Sequence, residues 1–173
     1  TYLNVDKDGI INLEELVNAI TEDTILISIM FANNEIGSIQ PIQKIGEIAK
    51  EKGIIFHTDA VQACGNVKID VKEMNIDMLS LSGHKIGAPK GIGALYVNKN
   101  IEFKNLIDGG HQEREKRAGT ENVPGIIGLG EACKIAKNNM EPHINKLKEL
   151  REFYFSEIQK QVSDIKINGS MKH

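Results

Sequence analysis

The feature that most constrains the fold is a pair of buried apolar segments separated by one amphipathic stretch. Residues 24–31 form an apolar run rich in β-branched side chains, which is typical of a strand covered on both faces of a parallel sheet. Pro41 then opens a stretch with apolar residues at helical spacing, and Gly53 closes it. A second apolar segment follows at 54–56. This order of strand, helix and strand predicts a βαβ unit.

Turn residues and periodicity predict the other elements of the chain. Asn12 precedes an amphipathic stretch, and Glu15 lies three residues later, so the two are expected to form a reciprocal helix cap. The last predicted strand can run antiparallel, which would make the sheet mixed. These elements are a helix at 12–20, strands at 77–81 and 91–97, a long loop at 109–125, and two helices at 126–137 and 142–162.

Composition excludes several classes of function. The net charge is -3, and basic residues are scattered among acidic ones, so no surface for nucleic acid or for an anionic membrane is predicted. No apolar run has the length of a transmembrane helix, so the expected location is the cytoplasm. Cys64 and Cys133 lack the paired spacing of a zinc site. We therefore expect both thiols to be reduced, and no metal site is predicted from them.

Each of the first three predicted strands ends in polar residues. Ligands of open α/β sheets bind beyond the carboxyl ends of the strands, so these residues are expected to meet in one crevice. Taken singly, each has a simpler interpretation as a turn or surface residue. The three groups are Asn33, Asn34 and Glu35, then Asp59 and Gln62, then Ser82, His84 and Lys85.

The tetrapeptide at 82–85 brings together the groups needed to hold an aldehyde cofactor that carries a phosphate. It contains a hydroxyl, a flexible glycine, an imidazole and the Lys85 amine. A lysine amine forms Schiff bases with carbonyl groups. Pyridoxal phosphate also needs a carboxylate facing its pyridinium nitrogen, and Asp59, 26 residues upstream, is the candidate.

Four spaced motifs together carry a resemblance to a known family. They are ANNEIG at 32–37, HTDAVQ at 57–62, SLSGHK at 80–85 and RAGTEN at 117–122. In order and spacing they resemble the segments of cysteine desulfurases that serve iron-sulfur cluster assembly. The resemblance implies the aspartate-aminotransferase-like large domain of fold type I pyridoxal-phosphate enzymes, an α/β fold with a mixed, mostly parallel sheet and flanking helices.

The resemblance also assigns roles to individual residues. Lys85 would form the Schiff base with pyridoxal 5'-phosphate and act in catalysis together with His84, while Asp59 would pair with the pyridine nitrogen. Thr120 would reach the cofactor phosphate of a neighbouring subunit, which implies a homodimer. The remaining implied contacts are Asn34 and Gln62 on the ring hydroxyl or substrate side, and Ser82, Gly83 and His84 at the phosphate.

The implied reaction converts L-cysteine to L-alanine and passes the sulfur to an enzyme cysteine as a persulfide, for iron-sulfur or thio-cofactor synthesis. Cys64 and Cys133 are each expected to be buried and structural, so neither is assigned that role. We therefore expect a fragment that is inactive alone. Residues 1–162 would be the central part of the large domain, and 163–173 the start of a truncated C-terminal domain.

Four alternatives remain open at this stage. Substrate choice leaves a selenocysteine lyase, or another pyridoxal-phosphate lyase of the same fold, as the main rival. The fragment can also act only as a docking module for an iron-sulfur scaffold or another sulfur acceptor. Residues 4–15 match the ligand spacing of an EF-hand calcium loop, with glycine at its sixth position. Ser82 and Lys85 also satisfy the Ser-x-x-Lys pattern of penicillin-recognising enzymes.

Overall fold

The computed structural model describes residues 1–170, and its centre is a mixed sheet. Three strands run parallel in the order β1, β2, β3, and β4 pairs antiparallel with β3. The predicted mixed, mostly parallel sheet is confirmed, including the antiparallel last strand. The strands are β1 Leu26–Ser28, β2 Ile55–Asp59, β3 Met78–Ser82 and β4 Gly93–Val97.

Of the four α-helices in residues 1–170, the first two begin and end close to where local signals predict. The four are α1 Leu13–Ala19, α2 Ile42–Lys52, α3 Gln112–Glu115 and α4 Val123–Gln161. Gly53 adopts the left-handed conformation that ends α2, with φ of 67°. Asn12 caps α1 by accepting hydrogen bonds from the amides of Glu14 and Glu15. The reciprocal half of that cap is absent, because the Glu15 carboxylate accepts from Asn4 instead.

Three regions differ from the sequence prediction. Strand β1 is shorter than predicted, although Phe31 still donates its amide to the Asp59 carbonyl at 2.8 Å beyond the end of β1. The predicted loop contains α3, a single irregular turn with left-handed residues inside it. The two predicted helices after it form one 39-residue helix that runs through Pro142. One missing amide hydrogen bond is tolerated there, and His143 next to it bonds Asn66 at 3.1 Å.

The hydrophobic core lies on one face of the sheet, beneath α2. Ile45 and Ala49 of α2 pack there with Phe56 of β2, and all three are almost completely buried. Along β2, burial alternates, so Phe56 and Thr58 point into this core while His57 and Asp59 lie on the other face. That other face is polar and half-open, and it is the face that can receive a ligand.

The Thr58 hydroxyl is expected to lower the free energy of unfolding, because it is buried in the core. Within residues 1–170, its Oγ1 has no hydrogen-bond partner. Thr58→Val replaces that hydroxyl with a methyl group of similar shape, and we expect it to raise the free energy of unfolding by about 1 kcal/mol. Urea unfolding measures the change. Ser38→Ala is the matched control, because the equally buried Ser38 hydroxyl donates to the Asp8 carbonyl, so its loss should destabilise the fold. Equal destabilisation by both variants would contradict the expectation.

Two further predictions concern membrane-spanning helices and a second domain at the end of the chain. The helices within residues 1–170 include none that is both long and apolar enough to cross a membrane. The predicted second domain at 163–173 falls partly outside the described residues, and its boundary stays a prediction.

Candidate functional site

The polar residues predicted to meet do lie at one edge of the sheet. Asp59 is the last residue of β2 and Ser82 is the last of β3, and these strands run parallel. Asp59 pairs in register with Ser80. The hydrogen bond from the Phe31 amide to the Asp59 carbonyl brings the segment after β1 to the same edge. The carboxyl ends of three neighbouring strands therefore lie at one edge of the sheet.

The two asparagines that follow β1 have different roles. The Asn33 side-chain oxygen accepts hydrogen bonds from the amides of Glu35 and Ile36, at 2.8 and 3.0 Å. Asn33 therefore builds the turn in which it lies. Asn34 is exposed beside it. This division supports Asn34 as the ligand-facing member of the pair, as predicted.

Asp59 is held by the chain that follows it. One carboxylate oxygen, Oδ1, accepts a hydrogen bond from the Val61 amide at 2.9 Å, and the residue is half-buried. Gln62 follows in a helical turn, and its carbonyl accepts from the Asn66 side chain. A carboxylate accepts at two oxygens, so Asp59 keeps the second for a ligand.

The segment after β3 is a 3-10 turn at Gly83–Lys85. The Ser82 hydroxyl lies 2.8 Å from His84 Nδ1, and both His84 and Lys85 are exposed. Gly83 is buried, and a Cβ there would lie 2.8 Å from the Ile92 side chain. Its amide donates to the Ile92 carbonyl. Gly83 thus allows the turn to pack closely against Ile92, with the exposed His84 and Lys85 following it.

Thr120 does not belong to the segments that directly follow the strands. It is exposed on the segment between α3 and α4, and within the described chain it shares no hydrogen bond with Ser82, His84 or Asp59. Its predicted contact with a neighbouring subunit is compatible with this exposure and stays a prediction.

His57 is a polar residue of this face to which the sequence analysis assigned no role. It lies two residues before Asp59 on β2, and its ring contacts Ser28 and Ser80. The spacing of His57 and Asp59, two apart on β2 and so on one face of the strand, is the signal that could have identified it.

The two cysteines differ from each other, and the prediction that both are buried is wrong for one of them. Cys133 is exposed on α4, whereas Cys64 is half-buried. Burial, with smaller contributions from Cys133 and Asp59, raises the pKa of the Cys64 thiol to about 11. Cys64 is therefore a poor nucleophile near neutral pH, as expected of a structural thiol. Cys133 lies on a face of α4 that is open to solvent, although the neighbouring Ala132 is buried.

Alkylation should separate the two thiols. At pH 8 only about one Cys64 in a thousand would be ionised, so iodoacetamide should label Cys133 first, and Cys133→Ser should remove the fast phase. Because the fold favours the neutral Cys64 thiol, its contribution to stability is complete below pH 9 and is lost as the pH rises towards 11. Mass spectrometry of timed digests gives the order, and faster labelling of Cys64 would contradict it.

Residues 4–15 do not adopt a calcium loop. Val5 and Ile11 form an antiparallel bridge, and the Ile10 carbonyl, which such a loop offers to the cation, accepts from the Asp6 amide. Asn4 donates to Glu15 at 3.0 Å. Among residues 1–170 there is also no cluster of three or more histidine, cysteine or acidic residues placed to hold a metal ion.

The comparisons with known proteins agree with the geometry. Residues 1–173 match the family described as Aminotransferase class-V. The chain is 56% identical over 169 residues to a cysteine desulfurase IscS of Clostridium botulinum, covering 98% of this chain and 43% of the relative. A solved NifS-like protein superposes with a TM-score of 0.89 at 40% identity. The superposition covers 92% of this chain and 44% of the NifS-like protein.

A second solved structure, that of SspA in complex with cysteine, is 51% identical with a TM-score of 0.75. The superposition covers 78% of this chain and 39% of the SspA chain. The chain therefore spans less than half the length of the relatives that it matches.

Proposed function

Because the chain belongs to the class V aminotransferase family, we propose that it forms the cofactor-binding centre of a pyridoxal-phosphate-dependent cysteine desulfurase. The full-length enzyme would convert L-cysteine to L-alanine and retain the sulfur as a persulfide. One observation carries the proposal. Asp59, the Ser82–His84 pair and Lys85 all lie at the carboxyl ends of the adjacent parallel strands β2 and β3.

The donor set at this edge fits pyridoxal phosphate. We propose that Lys85 binds the aldehyde covalently, since its amine is exposed directly beyond β3. Ser82 and His84 would hold the phosphate, because their hydroxyl and imidazole lie together at the start of the same turn. When bound, the cofactor supplies an electron sink for the substrate carbon.

Asp59 is proposed as the partner of the ring nitrogen. Its Oδ1 is occupied by the Val61 amide, and that bond fixes the direction in which the second oxygen points. A fixed carboxylate favours a proton on the ring nitrogen, because opposite charges at close range stabilise each other. Asn34 and Gln62 would contact the ring hydroxyl or the substrate from either side.

Parts of the enzyme beyond this chain complete the proposal. The chain spans 43% of the IscS relative. Cys64 is half-buried and burial raises the pKa of its thiol, while Cys133 lies on α4, outside the strand ends that carry the proposed site. We propose that the persulfide cysteine lies in the remaining length. The same proposal includes a homodimer in which Thr120 reaches the cofactor phosphate of the partner subunit. It also includes an iron-sulfur scaffold as the sulfur acceptor and a cytoplasmic location.

Selenocysteine lyase is the second candidate, and the similarity to a protein solved with cysteine favours the first. The test incubates the full-length enzyme separately with L-cysteine and with L-selenocysteine, and measures alanine and enzyme-bound persulfide. We expect one alanine for each sulfur transferred from cysteine. Alanine from selenocysteine alone would replace the proposed substrate, and no alanine from either would overturn the reaction class.

A further inference from the structure

His57 joins the three parallel strands on the face that carries Asp59. Its Nδ1 lies 2.8 Å from the Ser28 hydroxyl on β1, and its Nε2 lies 2.9 Å from the Ser80 hydroxyl on β3. Both contacts have the length of ordinary hydrogen bonds. The imidazole ring is therefore fixed from both sides by residues of the neighbouring strands.

Ser80 places one end of this bridge beside Asp59. Side chains alternate along a strand, so His57 and Asp59 share one face of β2. Asp59 pairs in register with Ser80 on β3, and neighbouring strands lie about 4.8 Å apart. The hydroxyl that His57 holds therefore belongs to the residue directly beside the carboxylate.

The charge of Asp59 determines which group donates in each of the two hydrogen bonds of His57. A carboxylate only accepts hydrogen bonds. If Ser80 donated to His57, its lone pairs would face the carboxylate and repel it. If His57 instead donates from Nε2, the Ser80 proton is free to point towards Asp59, and Nδ1 then accepts from Ser28. The second arrangement is favoured electrostatically.

We propose that Ser28, His57 and Ser80 form a positioning relay that orients Asp59 towards the cofactor ring. The inference rests on the proposed function, because the ring is what Asp59 would contact. These three are positioning residues, acting only through Asp59. The relay also gives β1 a part in the site, since Ser28 fixes the far side of the histidine.

The first test uses cofactor-free full-length enzyme, labelled with nitrogen-15 in histidine. Nuclear magnetic resonance of the rings identifies which nitrogen carries the proton, and His57→Gln assigns the signal. We expect the His57 proton on Nε2 and not on Nδ1, and we expect Ser80→Ala to change that signal. A proton on Nδ1, or rapid exchange between the two nitrogens, would overturn the relay.

The second test uses the cofactor-loaded enzyme. Ser80→Ala is expected to lower kcat by about 10-fold, as loss of an outer partner does in metal sites, with KM changed less than about twofold, since substrate contacts remain. The visible absorbance band should shift towards that of Asp59→Ala, and Ser80→Thr should restore both. Thr58→Val, on the same strand but facing the core, is the control and should leave both unchanged.

The outcomes separate this inference from the proposed function. A normal kcat and an unshifted band in Ser80→Ala would reject the relay while leaving the desulfurase assignment intact. An inactive full-length enzyme would reject the proposed function, and the nuclear magnetic resonance measurement would still decide whether the relay exists.

Discussion

Replacing Lys85 with alanine is expected to reduce alanine production from L-cysteine by at least about 10³-fold in the full-length enzyme. The reason is chemical, since the variant loses both the amine that binds the cofactor and a group placed to move protons, and positioned proton-transfer groups contribute about 10²- to 10⁴-fold. Lys85 is exposed, so the substitution leaves no core cavity and should not unfold the protein. Steady-state kinetics measure the loss.

Two controls make the Lys85→Ala result specific. Lys90→Ala removes an exposed lysine five residues further along the same connection and is expected to leave turnover unchanged. A small external amine should partly restore activity to Lys85→Ala, because it replaces the missing chemical group. Turnover within tenfold of the parent enzyme would contradict the role given to Lys85.

Gly46→Ala is expected to destabilise the fold by about 2 kcal/mol or more. Gly46 lies in α2, where a Cβ would stand 1.9 Å from the Met74 carbonyl oxygen. Because the obstacle is backbone, no side chain can rotate away, and α2 must separate from the turn before β3. Overpacking of this kind typically costs about 1–3 kcal/mol and sometimes more, which exceeds the roughly 1 kcal/mol that alanine gains over glycine in a helix.

Gly130→Ala is the matched control for that prediction. Gly130 lies in α4, and a Cβ there meets nothing within 4 Å, so alanine should stabilise by up to about 1 kcal/mol. Urea unfolding followed by circular dichroism compares the two variants. If Gly46→Ala were as stable as Gly130→Ala, the close approach of α2 to Met74 would be wrong.

Much of the fold follows from local signals in the sequence. Pro41 and Gly53 bound α2 because one fixes a helical φ and the other tolerates a positive φ. The apolar strands and the polar residues after them place Asp59, Ser82 and Lys85 at one edge, because parallel strands share a carboxyl end.

The features that the sequence did not predict depend on tertiary contacts. Pro142 indicated a break between helices, yet α4 continues because a long helix tolerates the loss of one hydrogen bond. Cys133 was expected to be buried, but its exposure depends on which element covers α4. The His57 bridge requires the register of β1, β2 and β3, and register is set by packing across the sheet rather than by any one strand.

Mapping the lysine that carries the cofactor tests the central claim most directly. Borohydride reduction of the full-length enzyme would trap a Schiff base permanently, and mass spectrometry of a digest would locate the added mass. We predict that the peptide containing Lys85 carries it and that Lys90 remains unmodified. Labelling of a different lysine, or a reduced protein without added mass, would contradict the assignment of Lys85 as the residue that holds pyridoxal phosphate.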